Sequence, residues 1–287
     1  MKIFVLCRSK RSNRTWSAYI ARRLTALGYD AYRVTPDAVP MHRVENARLI
    51  INYGTGRTPI WWSRVHPDCV VLNDPSQVRV SVNKIEMQRA LERECSGHHL
   101  DYYLSKEAAQ QAIDNGETIV ARTLLSSHSG NGIVLSPPDP LPDARLYTVL
   151  KRWPGLREYR IWFKEGKMMD VVCKKRKGRA SLLEFCTPEE ADSWWNSRFR
   201  QVVRAWKNGW AFCHNNLPVD DNALFTEIAE TASRILTWGC VDVLIDNNKQ
   251  WYIVETNSAP GLDAGNTQTM FIESFIESAQ RLGINRQ

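Results

Sequence analysis

Near the C-terminus, two apolar runs meet over a polar turn in VDVLIDNNKQWYIVETNSAPGL, residues 241–262. Val241 to Ile245 and Gln250 to Glu255 read as the arms of a β-hairpin, because Asp246-Asn247-Asn248 between them is turn chemistry. A hairpin fixes register, and register decides which side chains share a face. With the turn centred between Asn248 and Lys249, Asp242 and Glu255 are direct cross-strand partners, their Cβ atoms about 5 Å apart. Asn257 lies two residues beyond Glu255 and projects from the same face. Two like charges held opposite each other destabilise a sheet unless a cation sits between them. Two carboxylates and one amide oxygen are hard ligands that leave coordination positions open, which suits a Mg²⁺–phosphate site. Taken alone, the three residues fit an alternative equally well: a solvated Asp242, and a Glu255 paired with a surface lysine.

The other end of the chain reads as a small α/β unit. Ile3 to Cys7, Tyr29 to Val34, Leu49 to Tyr53 and Val70 to Asn73 are strand-like. Residues 15–27 carry a helical pattern through Trp16, Ile20, Leu24 and Leu27, and Gly28 supplies the stop. Strands alternating with helices predict a parallel sheet over residues 1–80. The pattern changes near residue 80. Ser81 is a candidate cap for a helix through Ile85, Gln88 and Leu91, and Ser105 for a second that Gly116 ends. Thr118 to Leu124, Ile133 to Ser136, Leu146 to Lys151, Tyr159 to Lys164 and Lys167 to Cys173 are strand-like. Residues 187–210 are Trp-rich and carry no clear period. Ala223 to Thr237 is an amphipathic helix with Gly239 after it, and Met270 to Leu282 is the last helix.

Composition removes several classes. The 287 residues are 43% hydrophobic and 24% charged, which excludes a disordered or fibrous chain. No apolar run approaches the ~18 residues of a membrane span, and MKIFVLC is too short for a signal-peptide core. Seven scattered cysteines without a CxxC pair suit free thiols in a reducing compartment. A cytoplasmic protein is expected, in the host cytoplasm if a phage encodes the chain. The net charge is +7. Residues 151–179 alone hold eleven Lys or Arg against three acids, so phosphates or acidic substrates are plausible partners. KKRKGR (174–179) also suits a solvated face. No RNP, KH or zinc-finger motif accompanies it, and nucleic acid is not an expected partner. His98-His99, Trp61-Trp62 and Trp194-Trp195 read as packing or surface residues.

Two further stretches carry chemistry. In IVARTLLSSHSGNGIVL (119–135), Arg122 is a lone cation in an apolar strand, followed by a Ser/Gly loop. Such a loop can bend over a ligand and offer N–H groups to phosphate, or simply turn the chain. His128 in it reads as solvated. In LYTVLKRWPGLREYRIWF (146–163), Glu158 and Arg160 share one strand face. Glu158 can accept from ribose hydroxyls, and Arg160 can bind phosphate or hold an acid. A cross-strand ion pair is the simpler alternative.

The order of these features resembles the ATP-grasp family, in its carboxylate–amine ligase branch with ribosomal-protein glutamate ligases and glutathione synthetase-like enzymes. That order is a strand cation, a Gly-rich loop, a hinge strand, E-x-R, and a terminal D…E-x-N…PG. The resemblance covers about residues 70–265 and implies an α/β (α+β) architecture: an N-terminal parallel preATP-grasp domain (1–80), then an ATP-grasp domain (81–287) holding nucleotide between two sheets. Within it, a lid-bearing subdomain spans about 81–148 and a metal-bearing one about 149–287. The resemblance implies ATP as substrate and Mg²⁺, or Mn²⁺ in its place, on Asp242, Glu255 and Asn257. It gives nucleotide contacts to Lys84, Arg122, Ser129, Gly130, Gly132, the hinge residues Val149 and Leu150, Glu158 and Lys174. Arg160, Lys174 and Arg204 are the implied catalytic cations, with Asn208 and Gly209 beside Arg204. Asn83 stands where the family has Asp, Arg122 where it usually has Lys, and the hinge lacks the Glu of many relatives. The implied activity joins a carboxylate to an amine through an acyl phosphate, releasing ADP and phosphate. The competing readings are a carboxylate kinase or cyclising ligase, and a non-catalytic ATP-grasp-like nucleotide-binding or regulatory module that could bind nucleic acid through the basic patch at 174–179. The substrates and the oligomeric state are open at this level.

Overall fold

The computed structural model describes residues 1–9, 15–125, 131–151, 155–178, 187–204, 208–214, 217, 220–262 and 265–286. Three sheets organise the chain. The first joins β1 (Lys2–Cys7), β2 (Ala31–Val34), β3 (Ala47–Tyr53) and β4 (Val70–Leu72) in the order β2-β1-β3-β4. All its pairings are parallel. Helix α1 (Trp16–Ala26) returns the chain from β1 to β2 and buries Ile20, Ala21 and Leu24. Gly28, at φ +88°, turns the chain after it, a conformation that costs glycine least.

The fourth strand ends before Asp74-Pro75, as the sequence suggests, but Ser81 is not a helix cap. Helix α2 (Pro75–Val82) follows that strand. Asp74 caps it by accepting from the Ser76 N–H at 2.8 Å, and Pro75 takes the first helical position, where no N–H is needed. Ser81 therefore lies inside α2 and donates its hydroxyl to the Thr256 carbonyl at 3.0 Å. The cap of helix α3 (Lys84–Glu94) is Asn83, which accepts from the N–H groups of Ile85 at 3.1 Å and Glu86 at 3.4 Å.

The second sheet is antiparallel, with β5 (Tyr102–Tyr103), β6 (Ile119–Arg122), β7 (Ile133–Ser136) and β8 (Leu146–Val149) in the order β5-β8-β6-β7. Helix α4 (Lys106–Asp114) covers it through Ala109 and Ala112, and the Ser105 hydroxyl caps α4.

The third sheet sets up the site. It holds β9 (Arg157–Lys164), β10 (Lys167–Arg176), β11 (Trp210–Cys213), β12 (Trp238–Ile245) and β13 (Trp251–Asn257), antiparallel, in the order β11-β10-β9-β12-β13. One face carries Tyr159, Ile161, Phe163, Val241 and Val243. These pack on Met87 and Leu91 of α3 and on Phe225 and Ile228 of helix α7 (Asn222–Ala232). Each such side chain contributes about 1.5–3 kcal/mol on burial. The opposite face is apolar at one end only. There Trp162, Val172 and Trp238 pack under Phe271 and Phe275 of helix α8 (Gly265–Arg281), in a core continuous with Ile3, Val5, Leu49 and Ile51 of the first sheet. The middle of that face is left to polar side chains.

Two boundaries in this sheet differ from the sequence reading. Helix α7 stops at Ala232, and the Ser233 hydroxyl beyond it accepts from the Gly166 N–H at 2.8 Å. Gly239 is a strand residue of β12 at φ +153°, where a Cβ would meet the Asn257 carbonyl oxygen at 2.4 Å. The Trp-rich stretch forms helices α5 (Pro188–Asn196) and α6 (Arg198–Val202) before β11. Thr187 and Glu190 make a capping box at the start of α5. The six described cysteines are free thiols, and Cys186 lies outside the described residues. Among the described residues no helix is long and apolar enough to cross a membrane.

Candidate active site

Asp246 builds the turn that sets the site's register. Its carboxylate accepts from the N–H groups of Asn248 at 2.8 Å and Gln250 at 2.9 Å, and Lys249 takes φ +64°. Asp242 and Glu255 are consequently Cα partners, and Asn257 partners Cys240 one step along. β9 continues the row, with Arg160 opposite Asp242 and Val172 of β10 opposite Arg160.

Asp242 is 3% exposed. Arg160 grips it with Nε to Oδ1 at 2.7 Å and Nη2 to Oδ2 at 2.9 Å, and Lys174 Nζ adds a third donor at 3.3 Å. Burial alone pulls this carboxyl up. The charges and hydrogen bonds of Arg160 and Lys174 outweigh it and hold the group well below the usual carboxylate range. Lys174 also donates to Glu158. Burial works against the Lys174 charge, but Asp242 and Glu158 raise its pKa above the ordinary lysine value.

Glu255 accepts from Lys84 Nζ at 2.8 Å. Burial and the facing Asp242 push its carboxyl up, yet Lys84 and Arg122 bring it below the ordinary glutamate value. Arg122 makes no ion pair within 4 Å among the described residues. Burial lowers its pKa, opposed by the fields of Glu255 and Glu158. The polar face thus gathers Lys84, Arg122, Arg160, Lys174 and Arg204 around Asp242, Glu255 and Glu158, an excess of two positive charges. A polyanion is what such a face lacks.

The remaining sequence candidates divide. Arg204 Nη1 stands 3.9 Å from Glu158 Oε2, and its guanidinium lies 5.1 Å from the Trp210 ring centre. Asn208 does not join the site: it is buried and donates to the Val203 carbonyl at 2.7 Å. Gly209, at φ +79°, lies where a Cβ would overlap Trp194. Gly132 closes the β6–β7 pair, its carbonyl accepting from the Thr123 N–H at 2.9 Å. Ser129, Gly130 and His128 lie outside the described residues. The N–H groups of Val149 and Leu150 are taken by the carbonyls of Asp101 at 2.9 Å and Thr118 at 2.8 Å. These hinge residues can therefore offer a base their carbonyl oxygens and not their N–H groups.

Asn257 Oδ1 accepts from the Ala259 N–H at 2.9 Å and starts the turn into Pro260-Gly261. Tyr53 Oη donates to the Pro260 carbonyl at 2.6 Å, tying that turn to the end of β3. Among the described residues no three His, Cys, Asp or Glu side chains gather as a metal cluster. The donor set is two carboxylates and an amide, all hard oxygens. It fits Mg²⁺ that takes its other ligands from phosphate and water.

Sequence reading misses Phe212, whose ring centre lies 4.5 Å from the Arg160 guanidinium and 5.3 Å from Lys174 Nζ. It also misses Asp170, which receives His214 and Thr267. Phe212 and His214 sit in and just beyond a strand that follows the Trp-rich stretch. Only an alternating reading of WAFCH could have put both on one face.

No family model matches the chain, and no curated protein matches it in sequence. Solved structures do match it along nearly its whole length. D-alanyl-alanine synthetase A from Vibrio cholerae is 13% identical with a TM-score of 0.62, covering 99% of this chain and 99% of that one. A RimK domain ATP-grasp protein from Sphaerobacter thermophilus is 14% identical with a TM-score of 0.55, covering 96% and 100%. A RiPP-associated ATP-grasp ligase from Chryseobacterium gregarium, solved with ADP and a leader and core peptide, is 12% identical with a TM-score of 0.60, covering 100% and 99%. Identities this low speak for architecture, and on that ground the chain has the ATP-grasp fold that the order of its motifs implies.

Proposed function

We propose that this protein is an ATP-dependent carboxylate–amine ligase. The observation that carries the reading is the polar face of the third sheet, where five cations surround three carboxylates and the Asp242–Glu255 pair stands beside Asn257. ATP lies between the second and third sheets, with the domains divided near residues 80 and 148. Glu158 accepts from the ribose, and the carbonyls of Val149 and Leu150 face the base. Lys84, Arg122 and Lys174 bind phosphate oxygens. Asp242, Glu255 and Asn257 hold Mg²⁺ or Mn²⁺, which neutralises phosphate charge when bound.

A substrate carboxylate oxygen attacks the γ-phosphorus and ADP departs with the electrons of the broken P–O bond. Arg160 and Arg204 face the negative charge that collects on the transferred group. Phosphoryl transfer of this kind asks for positioning and charge neutralisation more than for acid–base chemistry. An amine then displaces phosphate from the acyl phosphate to give an amide. Exclusion of water from the site protects that intermediate from hydrolysis. Such a ligase, dependent on ATP and carrying free thiols, works in the cytoplasm.

The test is nucleotide product analysis with Mg-ATP, with and without a mixture of the twenty amino acids, beside the Glu255→Ala variant. ADP and phosphate formed only with the mixture and only by the wild type support the ligase. A variant that folds and retains wild-type turnover refutes the metal assignment. A wild type that neither turns over nor is thermally shifted by ATP refutes the nucleotide site.

A further inference from the structure

Amide formation from an acyl phosphate has a proton requirement that the residues named so far do not meet. The amine arrives as R–NH₃⁺ and the amide keeps one of its three protons. The departing phosphate takes the second as the C–O bond to it breaks. The third must pass to a base before nitrogen can donate its lone pair to the carbonyl carbon. The carboxylates of the polar face are committed: Asp242 to Arg160 and Lys174, Glu158 to Lys174, and Glu255 to Lys84.

One other group lies on the same face. Asp170 of β10 is the Cα partner of Trp162, Trp162 of Cys240, and Cys240 of Asn257, so Asp170 shares the cross-strand row of Asn257. Its Oδ1 accepts from the Val171 N–H at 2.8 Å. Its Oδ2 accepts from the Thr267 hydroxyl, fully buried in the first turn of α8. The same oxygen faces His214 Nε2 at 3.1 Å. With Nε2 donating to that carboxylate, Nδ1 is the imidazole nitrogen left to accept a proton. The His214 side chain is 42% exposed. It stands two residues beyond Phe212, about 7 Å along the strand, and the Phe212 ring reaches the Arg160 guanidinium. Among the described residues β11 is the edge strand of the sheet, so this corner offers an amine an approach at the sheet's edge. Of the other described histidines, His42 and His66 lie in the first α/β unit, and His98 and His99 lie beside β13 at the opposite edge.

We propose that His214, oriented by Asp170 and Thr267, is the proton acceptor for the incoming amine, and that Phe212 and His214 at the β11 edge form the amine subsite. This rests on the ligase reading. His214 takes the third proton on Nδ1 before nitrogen attacks, and returns it to water. Asp170 and Thr267 act through His214 as positioning residues.

The experiment compares two nucleophiles on one enzyme. Mg-ATP and the amino-acid mixture are given to wild type and to His214→Ala, with either the mixture itself or hydroxylamine as acceptor. Hydroxylamine is already unprotonated at neutral pH and traps acyl phosphates as hydroxamates without a base. In the variant the ratio of amide to hydroxamate should fall by about 10²-fold, the usual worth of a general base. Added imidazole should restore part of it, because alanine leaves the space open. An unchanged ratio overturns the inference and leaves the ligase standing, as does an equal loss of both products. A wild type that makes neither product removes the ligase reading and this inference with it.

Discussion

Removing Arg160 tests whether the site is held together by its own charges. In Arg160→Met the stem is roughly kept and the two donors to Asp242 are lost, at 2.7 and 2.9 Å. Asp242 is 3% exposed, so water cannot replace them. Stripping one partner from a buried ion pair costs about 3–5 kcal/mol. Lys174 Nζ remains 3.3 Å from Oδ2 and offsets a share, which puts the expected loss near 3 kcal/mol. At roughly 2–4 °C per kcal/mol for a chain of this size, the melting temperature should fall by about 6–12 °C. The assay is thermal unfolding in EDTA without nucleotide. In the wild type the Asp242 carboxyl lies below its unfolded value, so its contribution is complete above about pH 3.9 and is lost as pH falls through the folded value. Without Arg160, burial pushes the carboxyl up. The variant then takes a proton at higher pH than the wild type, and its deficit shrinks as pH is lowered. Arg160→Met with Asp242→Leu removes both charges and should recover most of the loss. A fall below about 2 °C, a deficit that does not shrink as pH is lowered, or a double variant worse than the single would refute this account.

Asn83→Ala should cost about 1 kcal/mol through loss of the α3 cap, read by denaturant unfolding. It should also weaken ATP binding, because Lys84 stands on the first turn that the cap organises. Gly239→Ala places a Cβ 2.4 Å from the Asn257 carbonyl oxygen. It should destabilise by about 1–3 kcal/mol and reduce turnover through the displaced Asn257, whereas wild-type activity would show that the strand can shift there freely. Mg²⁺ alone should bind too weakly for calorimetry to detect, since Lys84, Arg160 and Lys174 already occupy the carboxylates. With ATP present the metal should bind, phosphate oxygens completing its shell. Tight binding of the metal without nucleotide would refute that order.

What the sequence discloses about this site depends on how far apart the partners lie along the chain. The Asp242–Glu255 pairing is legible because thirteen residues and one turn decide it, and a turn's chemistry is local. The parallel first sheet is legible because its strand-like runs alternate with helical pattern. Arg160 is legible as a cation on a strand face, but its partner is 82 residues away. Only the sheet order β9-β12 makes the ion pair, and no spacing rule contains that order. The helix α2 was within reach: Asp74-Pro75 is a cap followed by a first-position proline, and its extended neighbours hide it. His214 and Asp170 show the other limit. They are 44 residues apart, one on β10 and one just beyond β11, with the short helices α5 and α6 between them in a stretch that carries no clear period. Residues that bind phosphate announce themselves as a surplus of charge that burial must explain. A base for the second half of the reaction needs only one carboxylate and one imidazole, correctly oriented, and such a pair is visible only once the strands are in register.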